Sequence, residues 1–160
     1  MNKIKILWAD DEIERLKAQI FFLQKKGYKI IPVTNGYDAI DYCREEAVDV
    51  VFLDESMPGI SGLETLTKIK EINANLPIVM ITKNEAENIM EEAIGAQITD
   101  YLIKPVNPNQ ILLTLKKIID NNRLVSEATT SAYQQQFRRI FNDIQLGADH
   151  RDWVEISKKL

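Results

Sequence analysis

Five polar side chains, three of them carboxylates that could bind a divalent cation, stand at the ends of short apolar runs. Asp10 and Asp11 end the first run and Asp54 another, while Thr82 and Lys104 end two later ones. Carboxylates placed side by side at the edge of an apolar core repel one another and lose hydration, so they need a compensating partner. A divalent cation with oxygen ligands is such a partner, and we expect Mg²⁺.

The composition argues against several other kinds of site. The chain has 160 residues, 45% of them hydrophobic, enough for one compact domain with an appendage. A net charge of −4 and a pI near 5.1 argue against a nucleic-acid surface. Because Cys43 and His150 are the only cysteine and histidine, neither an internal disulfide nor a zinc site is expected. No segment has the pattern of a signal peptide or a membrane span, so we expect a cytoplasmic protein.

The five polar groups need a scaffold that brings distant strand ends together, and the apolar pattern predicts one. Short apolar runs alternate with amphipathic stretches to about residue 120, which indicates strand-helix units and a parallel sheet. We predict strands at 4–9, 29–33, 48–54, 78–82 and 100–103, and helices at 13–25, 36–46, 62–72, 84–94 and 108–119. The fold class is thus α/β, a (βα)5 chain with helices on both faces of a doubly wound sheet.

Ligands of open parallel sheets bind beyond the carboxyl ends of the strands. The five groups named above all fall at that edge, an arrangement that is hard to obtain by chance. Taken singly, each residue also has a plain structural explanation. Asp10 fits a helix N-cap, Asp54 a turn residue that ends a strand, and Tyr101 an aromatic packed near a strand end.

The stretches WADDE, VVFLDESMPGISGLE, IVMITK and DYLIKPVNP resemble the receiver domain of two-component response regulators, over about residues 3–120. The resemblance implies a flavodoxin-like sheet of strand order 2-1-3-4-5 and a phosphoryl group accepted by Asp54 from a sensor histidine kinase. It also implies that Mg²⁺ is held by Asp11, by Asp54, by Asp10 through water, and by the backbone carbonyl of Ser56.

The resemblance further assigns residues that respond to the phosphoryl group. Thr82 matches the switch hydroxyl, Tyr101 the switch aromatic and Lys104 the phosphate-contacting lysine, with a cis peptide bond between Lys104 and Pro105. Phosphorylation is expected to change the surface formed by the fourth helix, fifth strand and fifth helix, which then docks a partner or a second copy. Turnover of a separate substrate is not expected, because the chain would catalyse only its own phosphorylation and dephosphorylation.

One position departs from the family pattern. The residue after the switch hydroxyl is usually small, and here it is Lys83. We hypothesise that Lys83, with Ser56 and Asn84 at the rim, gives the phosphorylated state an unusual lifetime. Glu12 is expected to open the first helix and to face solvent.

Residues 122–160 predict a helical extension beyond a receiver domain of residues 1–121. Apolar residues recur at helical spacing in the second half of 122–146, and a further amphipathic pattern begins near Asp149. We expect the start of a helical bundle whose apolar face packs back on the receiver, pairs with another copy or continues in a longer protein, and we favour continuation. Arg138 and Arg139 are too few for a DNA-reading helix, so no direct nucleic-acid partner is expected.

The stretches LWADDEI, FLDESMPGISGLETL and YLIKPVNPNQILLTLKKI resemble in particular the PorX type of response regulator. Members of that type join a receiver through a helical bundle to a phosphatase-like PglZ domain, and they are linked to type IX secretion. The sequence therefore leaves three functions open: a phosphorylation switch, a constitutive docking or dimerisation module, and the regulatory part of a larger hydrolase.

Overall fold

The structure, a computed structural model, describes residues 3–121. Their centre is a parallel sheet of five strands in the order β2-β1-β3-β4-β5. This order confirms the predicted doubly wound α/β fold. The strands are β1 (Lys5–Ala9), β2 (Lys29–Val33), β3 (Val50–Leu53), β4 (Ile78–Thr82) and β5 (Asp100–Ile103).

Helices follow the strands in alternation, as the amphipathic pattern predicted. They are α1 (Lys17–Lys25), α2 (Gly36–Glu45), α3 (Gly62–Ile72), α4 (Glu87–Gly95) and α5, which is described over 108–121. Side-chain caps fix two of the starts, because Asn35 accepts the backbone N–H of Asp38 and Ser61 accepts that of Glu64. Gly27 follows α1 with a φ of +98°, the left-handed conformation that ends many helices.

The first predicted helix, 13–25, is wrong in its first turn. Ile13–Leu16 forms a 3-10 helix, and the α-helix begins only at Lys17. The backbone N–H of Ile13 donates to the Asp10 carbonyl, while the Asp10 side chain accepts the N–H of Glu12 at 2.8 Å. These bonds tighten the chain directly after β1. The side chain of Asp10 therefore orders the turn but does not cap α1.

The fourth predicted helix, 84–94, begins three residues too early. In the structure α4 starts at Glu87, and the side chain of Asn84 accepts the backbone N–H of Ala86 at 2.9 Å. Asparagine competes with helix formation through such local bonds, which keep residues 83–86 in a loop. This loop lies directly after β4, at the edge of the sheet where ligands bind.

The core is formed by the central strands and the helix faces that cover them. Every residue of β3 and β4 is buried, as expected for strands that are almost wholly apolar until their last residue and are covered by helices on both faces. The rings of Trp8 and Phe52, on neighbouring strands, meet edge to face with centroids 5.1 Å apart. Such a sheet gives the residues that follow each strand a rigid support.

Among the described residues, one compact unit ends at Leu115, and a second unit begins at Lys116. The boundary predicted after residue 121 stays a prediction, and the predicted helical extension lies outside the described residues. Among residues 3–121, no helix is long and apolar enough to cross a membrane.

Candidate phosphoacceptor and metal site

Three carboxylates meet at the carboxyl edge of the sheet. Asp10 and Asp11 follow β1, and Asp54 follows the neighbouring strand β3. One oxygen from each carboxylate lies within 4.8 Å of the other two. Asp10 and Asp54 are buried, whereas Asp11 is exposed to solvent. The cluster thus has a buried base and one open side.

Lys104, which follows β5, reaches into this cluster. Its Nζ donates to Asp10 Oδ2 at 2.5 Å and to Asp54 Oδ2 at 3.4 Å, and the side chain is only 10% exposed. Burial alone would lower the pKa of Lys104, but the hydrogen bond to Asp10 and the charges of Asp54 and Asp10 raise it. The lysine therefore stays protonated and contributes a fixed positive charge.

Asp10 is tied to the protein at both of its oxygens. Burial raises its pKa, and the hydrogen bonds from Lys104 and from the N–H of Glu12 act in the opposite direction. Because both oxygens already accept protein donors, Asp10 is poorly placed to coordinate a cation directly. Asp11 and Asp54 have more freedom to do so.

The donor set fits a hard divalent cation. Three carboxylates face one ammonium group, which leaves a surplus of negative charge beside a cavity of about 130 Å³. The cavity has polar or charged side chains all around it. It is lined by Asp11, Glu12, Asp54, Ser56, Thr82, Lys83 and Lys104.

Thr82 and Tyr101 are connected through the backbone of one residue. The Thr82 hydroxyl accepts the N–H of Asn84 at 3.2 Å, and the Asn84 carbonyl accepts the hydroxyl of Tyr101 at 2.7 Å. Burial raises the pKa of Tyr101, which keeps its phenol protonated as a donor. Thr82 still has its own hydroxyl proton to donate into the cavity. Sequence reasoning placed Asn84 only at the rim and missed this connection.

Lys83 and Glu12 both line the cavity and form an ion pair. Lys83 Nζ is 3.7 Å from Glu12 Oε2, with side chains 69% and 40% exposed. Glu12 also pairs with Arg15 at 3.4 Å. Glu12 therefore does more than face solvent at a helix start. The sequence shows a lysine at position 83 and a glutamate at position 12, but their contact depends on the conformation of the loop after β4.

Glu55 is a buried acid that sequence reasoning did not single out. It is 7% exposed, its Oε1 accepts the N–H of Leu63 at 3.4 Å, and its Oε2 has no hydrogen-bond partner among the described residues. Burial is the main cause that raises its pKa. The signal was an acid directly after Asp54 at the end of an apolar strand. Its contact with the start of α3 helps to close the loop between β3 and α3.

The remaining assigned residues lie at the same edge. Ser56 is exposed in the loop after β3, and it lines the cavity beside the acids. The peptide bond between Lys104 and Pro105 is cis. One small site is therefore surrounded by five residues that span 95 positions of the sequence. They are Asp10, Asp11, Asp54, Thr82 and Lys104.

Comparison with known proteins agrees with this architecture. Residues 6–116 match the model of the response regulator receiver domain, and residues 123–160 match that of the PorX response regulator linker domain. The chain is 30% identical over 156 residues to the transcriptional regulatory protein ZraR of Klebsiella oxytoca, covering 92% of this chain and 35% of that protein. It is 32% identical over 125 residues to the response regulator UvrY of Escherichia coli K12, covering 77% of this chain and 57% of that protein. The chain thus spans only part of these relatives.

Solved receiver structures have the same fold. The CheY-like receiver domain protein of Methanospirillum hungatei JF-1 superposes with a TM-score of 0.73 at 22% identity, covering 76% of this chain and 98% of that chain. The chemotaxis protein CheY4 of Vibrio cholerae gives a TM-score of 0.68 at 27% identity, covering 73% and 99%. With its acidic cluster, its buried lysine and the match over residues 6–116, the chain belongs to the receiver domain family of two-component response regulators.

Proposed function

We propose that the chain is a phosphorylation-dependent switch in which Asp54 accepts a phosphoryl group from a sensor histidine kinase. The observation that carries this proposal is the Lys104 ammonium group held against both Asp54 and Asp10, with Asp11 close by. A lysine buried to this degree, beside a carboxylate cluster that is open to solvent at Asp11, is suited to receive a dianionic phosphoryl group.

The transfer needs little acid-base chemistry from the protein. A carboxylate oxygen of Asp54 attacks phosphorus, the phosphorus–nitrogen bond of the phosphohistidine breaks, and its electron pair stays on the imidazole nitrogen, which takes up a proton from solvent. The products are an aspartyl phosphate and a neutral histidine. Lys104 offsets charge on the transferred group, and the hydroxyl of Thr82 donates to one of its oxygens.

The proposed ligands of Mg²⁺ are the carboxylates of Asp11 and Asp54 and the backbone carbonyl of Ser56. Asp10 would hold the cation through water. When bound, the cation would offset the charge of the carboxylates and of the phosphoryl oxygens. The cluster of three carboxylates within 4.8 Å supports this assignment. The match to a receiver domain supports it independently, because such domains typically bind Mg²⁺.

We place the approach of the kinase at a second cavity, of about 350 Å³, next to the acidic one. Glu12, Lys83 and Lys104 line both cavities, and apolar groups such as Leu16 and Val106 form part of the larger one. A donor histidine is carried by another protein, so an apolar recess beside Asp54 suits its docking. Arg15, whose side chain is 75% exposed at this cavity, is a suitable contact.

The response to phosphorylation would pass through Thr82, Asn84 and Tyr101. If the Thr82 hydroxyl turns towards a phosphoryl oxygen, its bond to the Asn84 N–H changes, and the Asn84 carbonyl is the acceptor for Tyr101. Exposed apolar side chains lie on the two adjoining helices, with Ile94 67% and Leu113 60% exposed. This α4-β5-α5 surface would bind an effector, a further domain or a second copy of the chain.

The biological setting proposed here is that of the PorX type. The match of residues 123–160 to the PorX linker supports a receiver coupled to a helical segment and, through it, to a PglZ effector that acts in type IX secretion. The protein would act in the cytoplasm, where the kinase presents its phosphohistidine. The same match favours a second candidate, the regulatory part of a larger PglZ-type hydrolase.

The switch is tested by intact-mass spectrometry after incubation with acetyl phosphate and Mg²⁺. Wild type should gain one phosphoryl adduct, Asp54→Asn should gain none, and Asp41→Asn, an exposed aspartate of α2, should match wild type. Chelation of Mg²⁺ should suppress the adduct. A wild-type chain that takes no phosphoryl group from acetyl phosphate or from a phosphorylated kinase would instead support a constitutive docking module.

The docking site is tested by comparing two phosphodonors. Arg15→Ala should slow transfer from the phosphorylated kinase, while the rate with acetyl phosphate stays at the wild-type value, because a small donor needs no docking surface. Lys17→Ala, another exposed cation of the same region, is the matched control. Equal slowing with both donors would place Arg15 in the reaction itself and not in docking.

A further inference from the structure

The loop from β3 to α3, residues 54–61, is held mainly by packing. The N–H of Gly62 donates to the Glu55 carbonyl at 2.9 Å and closes the loop. Within the described part of the chain, residues 56–60 make no backbone-to-backbone hydrogen bond. Ile60 is 6% exposed, and Met57 packs against the core. Side-chain contacts therefore determine where the exposed segment between Met57 and Ile60 lies.

That exposed segment rests on one aromatic ring. Gly59 has a φ of +88°, and a Cβ added to it would lie 2.7 Å from Cε2 and 3.2 Å from Cδ2 of Tyr37. The ring thus lies directly against the backbone of Gly59, with no room for a methyl group. Tyr37 is the side chain that limits movement of the loop on this side.

The backbone of Tyr37 is firmly placed. It stands in the first turn of α2, where Asn35 caps the helix. Its neighbour Gly36 is so close to Thr65 and Ile60 that a Cβ there would overlap both side chains. The start of α2 is therefore fixed against α3 and against the end of the loop. The ring of Tyr37 therefore extends from a fixed point of the backbone towards Gly59.

The limited burial of Tyr37 indicates that this side chain contributes little to the stability of the fold. The side chain is 53% exposed, and no hydrogen bond of its hydroxyl is present among residues 3–121. An aromatic side chain so exposed contributes only part of its apolar area to folding. The ring contacts Gly59, which lies three residues beyond Ser56.

We propose that Tyr37 is a positioning residue for the divalent-cation site, acting through Gly59 on the loop that presents the Ser56 carbonyl. This inference rests on the proposed function, in which that carbonyl is a ligand. A ligand group that is already held in place loses less conformational freedom on binding, so a ring that restricts the loop strengthens cation affinity. Without the ring, the loop has to be ordered each time the cation binds.

The test measures Mg²⁺ affinity of the full chain by calorimetry, with the metal alone as the ligand. Tyr37→Ala should weaken Mg²⁺ binding by about three- to tenfold, at or below the lower end of the loss seen for groups that orient metal ligands. Tyr37→Phe should restore wild-type affinity, because the ring and not the hydroxyl makes the contact. Phe21→Ala, which removes a ring that is 58% exposed on α1, is the matched control and should change nothing.

Two further measurements separate positioning from a general loss of stability. Amide exchange of residues 56–60 should be faster in Tyr37→Ala, while the urea midpoint without Mg²⁺ stays close to that of Phe21→Ala. Phosphorylation by acetyl phosphate should slow at limiting Mg²⁺ and return to the wild-type rate at saturating Mg²⁺. The double variant Tyr37→Ala/Gly59→Ala should lose less affinity than the product of the two single losses, since both act on one contact.

Failure of the proposed function and failure of the inference about Tyr37 would give different results. If wild type binds no Mg²⁺ and Asp54 takes no phosphoryl group, the proposed function is wrong and the inference falls with it. If wild type binds Mg²⁺ and Tyr37→Ala binds it equally well, only the inference is overturned. A lower urea midpoint with unchanged affinity and unchanged amide exchange would also overturn it, because Tyr37 would then be a stabilising residue alone.

Discussion

At the scale of single residues, Lys83 is the side chain that most distinguishes this site. Its ammonium group lies 3.7 Å from Glu12 and adds a positive charge to the cavity that Asp54 also lines. Its bulk would hinder water that attacks an aspartyl phosphate, and its charge would stabilise that phosphate. Both effects would lengthen the lifetime of the phosphorylated state.

We expect Lys83→Ala to speed hydrolysis of the aspartyl phosphate by about two- to fivefold, a modest effect because the side chain is exposed and its charge is screened. The decay of the intact-mass adduct after removal of the donor measures this rate. Lys83→Met keeps the length of the side chain without its charge. It should decay like wild type if bulk dominates and like Lys83→Ala if charge dominates, and equal rates in all three proteins would refute a role for Lys83.

Cys43 gives a residue-scale prediction outside the site. The thiol is half-buried, and burial raises its pKa from 9.0 to about 11. Since the thiolate is the nucleophile, its fraction at pH 8 is about a hundredfold lower than for an ordinary cysteine. Alkylation by iodoacetamide, followed by intact mass, should keep accelerating as the pH rises from 9 towards 11. In urea-unfolded protein the rate should level off above about pH 9, and the same plateau in the folded protein would contradict the prediction.

At the scale of elements, propensity and period placed most strands and helices correctly. β2, β4, β5 and α3 have the predicted bounds, because turn and capping residues flank clear apolar runs. The two errors at helix starts share a cause. Asp10 and Asn84 each hydrogen-bond a nearby backbone N–H in the loops that follow β1 and β4. Such side-chain hydrogen bonds compete with helix formation, and whether they form depends on the local backbone geometry, which the spacing of apolar residues does not reveal.

The contact between α2 and α3 supports an element-scale prediction. A Cβ at Gly36 would overlap Thr65 Oγ1 and would lie 2.7 Å and 2.9 Å from carbons of Ile60. Gly36→Ala should therefore lower the free energy of unfolding by about 1–3 kcal/mol, as overpacked cores do. Gly95→Ala is the matched control, since a Cβ there meets nothing within 4 Å and alanine favours helix by up to about 1 kcal/mol. Urea unfolding measures both, and a Gly36→Ala midpoint equal to or above that of Gly95→Ala would contradict the packing argument.

At the scale of the whole molecule, the sheet topology made the site predictable. Once the strands are parallel and doubly wound, the residues that follow β1, β3, β4 and β5 meet at one edge whatever their distance in sequence. Three other features were not predictable in this way: the contacts of Glu55, the hydrogen bonds that connect Thr82 to Tyr101 through Asn84, and the contact between Gly59 and Tyr37. They depend on loop conformations and on packing between α2 and the loop, which composition and period do not specify.

The same convergence predicts how the cation affects global stability. Without Mg²⁺, Asp10, Asp11 and Asp54 repel one another in the folded chain, whereas unfolding moves Asp54 away from the other two. Because the folded state alone gathers the ligands, Mg²⁺ at ten times its dissociation constant should raise the free energy of unfolding by about 1.4 kcal/mol. Urea unfolding of the full chain with and without Mg²⁺ measures this difference.

Asp11→Asn tests that prediction, because the substitution should not lower the stability without Mg²⁺ but should remove most of the stabilisation by Mg²⁺. Asp11 is the exposed member of the cluster, so its neutral amide relieves repulsion at little cost, and the variant without Mg²⁺ should be at least as stable as wild type. The same change removes a ligand, so most of the stabilisation by Mg²⁺ should disappear. Asp41→Asn, which alters an exposed aspartate of α2, should keep the full effect of Mg²⁺. A variant at Asp11 that is destabilised without Mg²⁺ yet fully stabilised by it would show that the three carboxylates do not form one cation site.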